Sequence, residues 1–216
     1  MANQATAYGL RPIGLVGSGA NTTGVTQYEI ASDNANAIFQ YGIVIPTADG
    51  VIARAADTAG GTTAALGVLM GVEYQDSVQK KPVFLNYWPG SAAVSVDTNY
   101  PIKAFVADNP NQLFQVASDA SLTDRATALA TVFANASLGT SAQAGSTDNG
   151  NSTSALSVSS VATTATLPLR IVGIADDEAN SDYTAAGIPL IVRLNAHFNS
   201  NAGGFASQTT SLTTGI

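Results

Sequence analysis

Apolar and polar residues alternate with period two between Pro82 and Asp119, and turn residues interrupt the alternation. The segments PVFLNYW, AVSV and IKAFVAD each place apolar side chains at every second position, which is typical of β-strands. Pro-Gly at 89–90, Asn-Tyr-Pro at 99–101 and Asp-Asn-Pro-Asn at 108–111 separate these segments, and LFQV follows the last turn. Consecutive strands joined by short turns predict an antiparallel β-meander with two partly apolar faces.

Similar alternation predicts further strands on both sides of this centre. They are at 25–30, 37–45, 51–56, 66–74, 167–175 and 188–198. We expect the last of them to lie in the middle of its sheet, because long apolar edge strands invite aggregation. Between 121 and 130 the apolar spacing becomes helical, and Ser121 to Asp124 resembles a helix cap. The pattern therefore predicts a mainly β fold, with an antiparallel β-sandwich or barrel-like body and at most one short helix.

Two regions, at 1–27 and 136–166, and the C-terminal tail at 199–216 lack this clear alternation. Residues 1–27 are rich in Gly, Ala, Asn and Thr, and their glycines argue against a continuous helix, so they are predicted to form an extended arm or an edge strand. Residues 136–166 offer little apolar surface to offset the entropy of ordering, which predicts a flexible exposed loop with at most one strand at 155–161. The expected organisation is thus an N-terminal arm, a β-rich body at 28–198 and an extended tail at 199–216.

Three segments of the chain carry a further pattern. They are the opening MANQATAYGLRPIGLVGSG, the central YWPG followed by IKAFVADNPNQLFQVASDASLT, and the distal LPLRIVGIADDEAN followed by PLIVRLNAHF. Together they resemble the small decoration (cement) proteins on the capsids of tailed bacteriophages. The resemblance implies a virion structural protein, made in the host cytoplasm, that binds the outer capsid surface and stabilises contacts between major capsid subunits. Its partners would be the major capsid protein and further copies of this chain, as a homotrimer or a dimer.

The apolar residues of the predicted arm are candidates for these contacts. An arm that cannot bury Tyr8, Leu10 and Ile13 by itself would bury them on a neighbouring subunit, with Arg11 beside them. Trp88, at the end of a predicted strand, is a further candidate, because aromatic residues in such positions pack into cores or interfaces. These five residues form the predicted interaction site.

Composition narrows the range of functions. Charged residues make up 11% of the chain, against about 25% in ordinary soluble domains, and a surface poor in charge loses little by desolvation against another protein. The formal net charge is −7 and the only adjacent cations are Lys80 and Lys81, so we expect no nucleic-acid binding. The lack of cysteine excludes disulfides, thiolate metal sites and cysteine nucleophiles. Without a secretory pattern or a run of about 20 apolar residues, we expect folding in a cytosol and no membrane contact.

Three groups of residues suggest chemistry, and each has a simpler interpretation. His197 has no local nucleophile or orienting carboxylate, which favours a hydrogen-bonding role. The oxygen-bearing residues from Asp176 to Asp182 lack the glycine and distal glutamate of a calcium loop, which favours a solvated turn. Trp88 and neighbouring tyrosines could form a platform for sugars. We therefore expect no enzymatic activity and no catalytic, cofactor or metal site, while a carbohydrate-binding module and a tail-associated virion protein remain as alternatives.

Overall fold

The computed structural model of the chain describes residues 3, 7–17, 24–55, 64–139 and 144–200. The strands within these ranges are β1 (Arg11–Leu15), β2 (Thr26–Ile30), β3 (Ile43–Pro46), β4 (Ile52–Arg54), β5 (Gly67–Gln75), β6 (Pro82–Leu85), β7 (Ile102–Ala107), β8 (Gln112–Ala117), β9 (Asn135–Ala136), β10 (Leu169–Ile174) and β11 (Pro189–Leu194). One α-helix, α1 (Arg125–Ala130), and 3-10 turns at Val158–Ser160 and Glu178–Asn180 complete the described secondary structure. The fold is mainly β with one short helix, as the hydrophobic pattern predicts.

Five strands form an open antiparallel sheet in the order β1-β8-β11-β10-β9. β11 lies in its middle, which confirms the position expected for the last long apolar segment, although the strand is shorter than 188–198. On β11, Leu190, Val192 and Leu194 are buried and point towards the core, while the residues between them are only partly buried. We call these five strands the open sheet, because β1 and β9 leave it with two edges.

The other six strands pair in the order β3-β4-β2-β7-β5-β6, and β3 also pairs with β5. This additional pairing closes β3, β4, β2, β7 and β5 into a ring, to which β6 is attached through β5. The ring corresponds to the barrel-like alternative of the predicted body, and closure removes the free edges of these five strands. Each strand contributes aliphatic side chains to one buried cluster inside the ring: Ile30, Val44, Ile52, Leu69, Val72, Ile102, Ala104 and Val106.

The ring and the open sheet share a hydrophobic core. A second buried cluster combines Phe114, Val116 and Leu190 of the open sheet with Ile43 and Val68 of the ring. The neighbours of Ile43 and Val68 along β3 and β5 belong to the cluster inside the ring, so these two strands are buried on both faces. The two sheets are therefore parts of one body, held together mainly by apolar burial.

The predicted meander at 82–119 is wrong. β6 pairs with β5, β7 lies between β2 and β5, and β8 lies between β1 and β11, so none of the three pairs with another. The turn at 108–111 carries the chain from the ring to the open sheet. The residues at 94–96 do not form a strand either, since Val96 makes only an isolated bridge with Asp76. Turn residues mark where the chain reverses, but they do not determine which strand becomes the neighbour.

The region at 136–166 is not an exposed loop over its described length. Leu156 is 0% exposed and lies in the shared core, and Leu138 is buried beside it. A 3-10 turn at Val158–Ser160 stands where the sequence predicts a strand at 155–161. The few apolar residues of this region anchor it, and hydrogen bonds of its serine side chains add further contacts.

Two glycines allow this polar region to pack closely against the aromatic side chains of Phe39 and Tyr87. Phe39 and Tyr87 stack with ring centroids 5.4 Å apart and an interplanar angle of 7°. A Cβ atom at Gly145 would overlap the ring of Phe39, and one at Gly150 would meet Tyr87 and Asn86. Glycine is needed at these positions because the backbone lies directly against side chains.

The helix predicted at 121–130 is confirmed but begins later. Asp124 is its N-cap, and its Oδ1 accepts a hydrogen bond of 2.7 Å from the backbone N–H of Thr127. Leu122, just before the cap, is buried in the shared core and anchors the chain there. For the predicted tail at 199–216, the structure describes only Asn199 and Ser200, and the rest lies outside the described residues.

Candidate interaction surface

The described N-terminal residues lie against the body of the same chain. The Asn3 side chain binds the loop that precedes β11, where its Nδ2 donates to the carbonyl oxygen of Asp182 (2.9 Å) and its Oδ1 accepts from the N–H of the same residue (2.9 Å). The N–H of Gly9 donates to the carbonyl oxygen of Ser154 (3.0 Å). Within the predicted arm at 1–27, the residues of β1 pair with β8, so the edge-strand interpretation is correct for them.

Two of the five predicted interaction residues are inside the protein. Leu10 is 0% exposed in the shared core, and its N–H donates to the carbonyl oxygen of Tyr41 (2.9 Å). Trp88 is also 0% exposed, donates from Nε1 to the carbonyl oxygen of Asn34 (3.0 Å) and meets Tyr74 edge-on at 6.1 Å. Both side chains are therefore corrected from interaction residues to core residues, and Trp88 cannot provide an exposed platform for sugars. Leu10 belongs to the shared core and Trp88 to the cluster inside the ring, so the chain buries both large apolar groups itself.

Arg11 is held over two tyrosine rings at the surface. Its Cζ lies 5.0 Å from the ring centroid of Tyr8 and 5.9 Å from that of Tyr41, which are cation–π distances. Burial raises the pKa of Tyr8 to about 12, while the charge of Arg11 opposes this effect and that of Asp177 adds to it. The result is an oriented guanidinium beside a neutral phenol, an arrangement suited to donate hydrogen bonds to a carboxylate or carbonyl group of another protein.

Tyr41 is the residue of this site that the sequence does not indicate. Its φ of 66° is a left-handed conformation, which is uncommon for a bulky residue. Two backbone hydrogen bonds hold Tyr41 in this conformation. Its N–H donates to the carbonyl oxygen of Leu69 (2.8 Å), and its carbonyl oxygen accepts from the N–H of Leu10 (2.9 Å). Neither contact is local in sequence, so no pattern around Tyr41 could place it next to Arg11.

Ile13 extends the site along the edge of the open sheet. It lies at the bulge between Pro12 and Gly14 in the β1–β8 pairing and is 39% exposed. In the described part of the chain, β1 has no strand on its outer side. An exposed edge with apolar side chains is a template for contact with another protein. We call Tyr8, Arg11, Ile13 and Tyr41 the β1 surface.

Asp108 forms a second polar cluster, where the chain passes from the ring to the open sheet. Its Oδ1 accepts from Oγ1 of Thr26 (2.9 Å), and its Oδ2 accepts from the hydroxyl of Tyr28 (2.7 Å) and from Nδ2 of Asn199 (3.4 Å). Burial and the bond to Asp108 raise the pKa of Tyr28. Because both carboxylate oxygens are engaged within the chain, the cluster ties β2, the 108–111 turn and the segment after β11 together.

His197 lies beside this cluster and is buried. Its Nδ1 accepts a hydrogen bond from the N–H of Asn199 (3.1 Å), and its backbone bridges Ala65. Burial lowers its pKa to about 4, an effect that Asp108 opposes and Arg193 strengthens. The side chain is therefore neutral at pH 7, and the hydrogen-bonding role predicted for it is confirmed.

The acidic residues at 176–182 shape the loop between β10 and β11. The carboxylate of Asp177 accepts from the N–H of Ala179 (3.0 Å) and from Nδ2 of Asn180 (2.7 Å). These bonds cap the start of the 3-10 turn. Asp182 accepts from the hydroxyl and the N–H of Thr184, and these bonds lower its pKa. Over the ranges that the structure describes, no three acidic or histidine side chains are grouped to hold a metal ion.

Comparison with known protein families, with curated proteins and with solved structures finds no match to this chain. Among the described residues, no helix is long and apolar enough to cross a bilayer. The functional interpretation therefore depends on the geometry of the chain itself, and the β1 surface is the part of that geometry suited to contact with another protein.

Proposed function

We propose that the protein is a capsid decoration (cement) protein of a tailed bacteriophage. It binds the outer capsid surface and stabilises contacts between major capsid subunits, as a homotrimer or a dimer. The resemblance of three segments to that class of protein supports the proposal, and so does a mainly β body in a chain with only 11% charged residues.

The β1 surface is the observation that carries the proposal. Ile13 offers an exposed apolar side chain at a sheet edge, and Arg11 offers a cation that two tyrosine rings already orient. Because the guanidinium is held in place before binding, less side-chain entropy is lost when a partner's carboxylate or carbonyl group meets it. An apolar contact next to an oriented arginine is a common composition at the centre of protein interfaces.

Stabilisation of the capsid follows from burial and from the number of contacts. A standard interface buries about 1,600 Å² in total, and each copy needs only one such contact with the shell. A copy that touches two shell subunits makes the second contact intramolecular, which raises the overall affinity without new chemistry. Dissociation of one shell subunit from its neighbour then requires breaking the decoration contact as well.

Two other functions are expected as alternatives, a carbohydrate-binding module and a tail-associated virion protein. Sugar recognition through Trp88 conflicts with the burial of that side chain. A tail-associated virion protein would present the same kind of low-charge surface, so the location of the chain on the particle separates it from the present proposal.

The test measures binding to particles. Purified virus particles are analysed for the ratio of this chain to the major shell protein, and purified protein is added back to particles that lack it. The Ile13→Lys variant places a charge on the β1 surface, and we expect its affinity for particles to fall at least about tenfold. The matched control is Val78→Lys, because Val78 is 76% exposed in the turn between β5 and β6, away from β1.

Equal binding by the wild type and both variants would remove the β1 surface from the proposal. Absence of the chain from purified heads, or its presence only on tails, would contradict the capsid assignment itself. Both variants are expected to unfold at the wild-type temperature, since each change is at an exposed position.

A further inference from the structure

The two faces of the open sheet differ in chemistry. One face is apolar and lies on the shared core. The five strands contain no Asp or Glu but three of the five arginines of the chain, Arg11, Arg170 and Arg193. Arg170 and Arg193 alternate with core residues along β10 and β11, so they lie on the face that points away from the core. In a chain with a net charge of −7, this face is a local concentration of positive charge.

Arg170 and Arg193 are directly opposite each other in the β10–β11 pairing. Side chains at such positions have Cβ atoms about 5 Å apart, and like charges there repel each other. Nε of Arg170 donates to Oδ1 of Asn135 (3.1 Å), which holds that guanidinium in place. Nε of Arg193 is buried and has no hydrogen-bond partner within the described chain. Burial and the charge of Arg193 lower the pKa of Arg170. We call these two residues the arginine end of the β10–β11 hairpin.

The other end of the same hairpin is acidic. The connection at 175–188 carries four of the fifteen acidic residues of the chain within seven positions. Asp176 and Glu178 are exposed there, and their carboxylates take part in no hydrogen bond or ion pair between described residues, unlike that of Asp177. They line an open cavity of about 370 Å³, which has room for an arginine side chain. We call this connection the acidic loop.

We propose that the arginine end of the hairpin in one copy of the chain binds the acidic loop of a second copy. The two ends are separated by the four residue steps from Arg170 to Ile174, about 13 Å of strand, so one arginine cannot reach the acidic loop of its own hairpin. Arg193 as a whole is partly exposed, and a guanidinium that meets a carboxylate forms charge-assisted hydrogen bonds, which are stronger than neutral ones.

The charge distribution favours a second copy over other anionic partners. A polyanion such as nucleic acid would be repelled by the net charge of −7. A second copy of this chain instead offers an acidic loop to the arginine end of the first copy, and an arginine end to its acidic loop. The same contact also reduces the repulsion between two copies, each of which is negative as a whole. It forms without any capsid, so its test and that of the proposed function can fail separately.

The experiment measures self-association of the purified full-length chain by sedimentation equilibrium at low and high salt. We expect the wild type to form an oligomer that dissociates near 1 M salt, where charges are screened beyond about 3 Å. Arg193→Glu and Asp176→Lys/Glu178→Lys are each expected to raise the dissociation constant at least about tenfold. The triple variant, which exchanges the charges between the two ends, is expected to recover association to within about threefold of the wild type.

Matched controls carry the same charge changes at exposed positions elsewhere. Arg125→Glu lies on α1 and Asp148→Lys lies in the described part of the Ser/Thr-rich region, and neither should alter association. If Arg193→Glu does not fold, Arg193→Gln replaces it. The Asp176→Lys/Glu178→Lys variant tests the same contact independently, through its own dissociation constant.

Three results would overturn the proposal. They are a wild-type chain that is monomeric at every concentration tested, an oligomer that both charge reversals leave unchanged, and a triple variant that folds but does not recover association.

Discussion

The ring and the open sheet solve the problem of exposed strand edges in opposite ways. Closure through the β3–β5 pairing leaves the five ring strands without free edges, and Trp88 fills the interior together with aliphatic side chains. The open sheet keeps two edges, and its outward face carries Arg170 and Arg193 among partly buried apolar residues. The two regions therefore differ in what a substitution can disturb: an interior packed around Trp88 in the ring, and edges and an outward face in the open sheet.

The largest expected effect tests the ring. Replacement Trp88→Ala removes a fully buried side chain, its hydrogen bond to Asn34 and its contact with Tyr74. We expect the free energy of unfolding to fall by about 3–5 kcal/mol, because the interior cannot collapse to fill the space. Denaturant unfolding of the purified protein measures this change.

The control for that prediction is Phe84→Ala on β6, outside the ring. Phe84 is 66% exposed, so its loss should change the free energy of unfolding by less than about 0.5 kcal/mol. Equal effects of the two substitutions would show that burial of Trp88 does not stabilise the fold.

The second prediction concerns the junction between the two regions, where His197 is buried. Its pKa falls from the ordinary value of 6.5 to about 4 in the folded chain, so the unfolded chain binds the proton more tightly. The stability that neutral His197 contributes is complete above pH 6.5 and is lost as the pH falls towards 4, by about 3 kcal/mol in all. Unfolding free energies between pH 7 and pH 4 should show this slope in the wild type.

The His197→Gln variant separates this effect from the carboxylates, which titrate in both proteins. Its unfolding free energy should depend less on pH between 6.5 and 4 than that of the wild type. Identical slopes would mean that protonation of His197 does not destabilise the folded chain.

The smallest expected effect tests an edge of the open sheet. Asn135 on β9 is buried, donates from Nδ2 to the carbonyl oxygen of Thr164 (3.0 Å) and accepts from Arg170. Asn135→Ala leaves these groups without their partner, and we expect a loss of about 1–2 kcal/mol. Thermal unfolding measures it, with the exposed Asn111→Ala as a control that should be neutral. A neutral Asn135→Ala would show that this edge is held by apolar contacts alone.

Much of the secondary structure follows from local periodicity. The alternation in IKAFVA predicts β7, and the long apolar run near the C-terminal side predicts β11 and its central position. The meander fails because the neighbours of β7 are β2 and β5, which are distant in sequence. Turn composition at 108–111 is the same whether the next strand pairs with β7 or joins another sheet.

The interaction site is predicted less well, for a related reason. Tyr8 and Arg11 do lie against each other, and Ile13 is exposed on the same strand as Arg11. Leu10 instead packs in the shared core, against residues that are distant in sequence. Tyr41 joins the site through backbone contacts with Leu69 and Leu10. Composition alone also misjudges the described residues of the region at 136–166, where small residues allow close packing.

The central place of β11 has a consequence for how the chain is made. This strand fits between β8 and β10, yet it leaves the ribosome after both of them. Until β11 is synthesised, β8 and β10 each have an unpaired edge, which can pair with a wrong strand. A translation product that stopped before Pro189 would lack the middle of its sheet and not merely an edge.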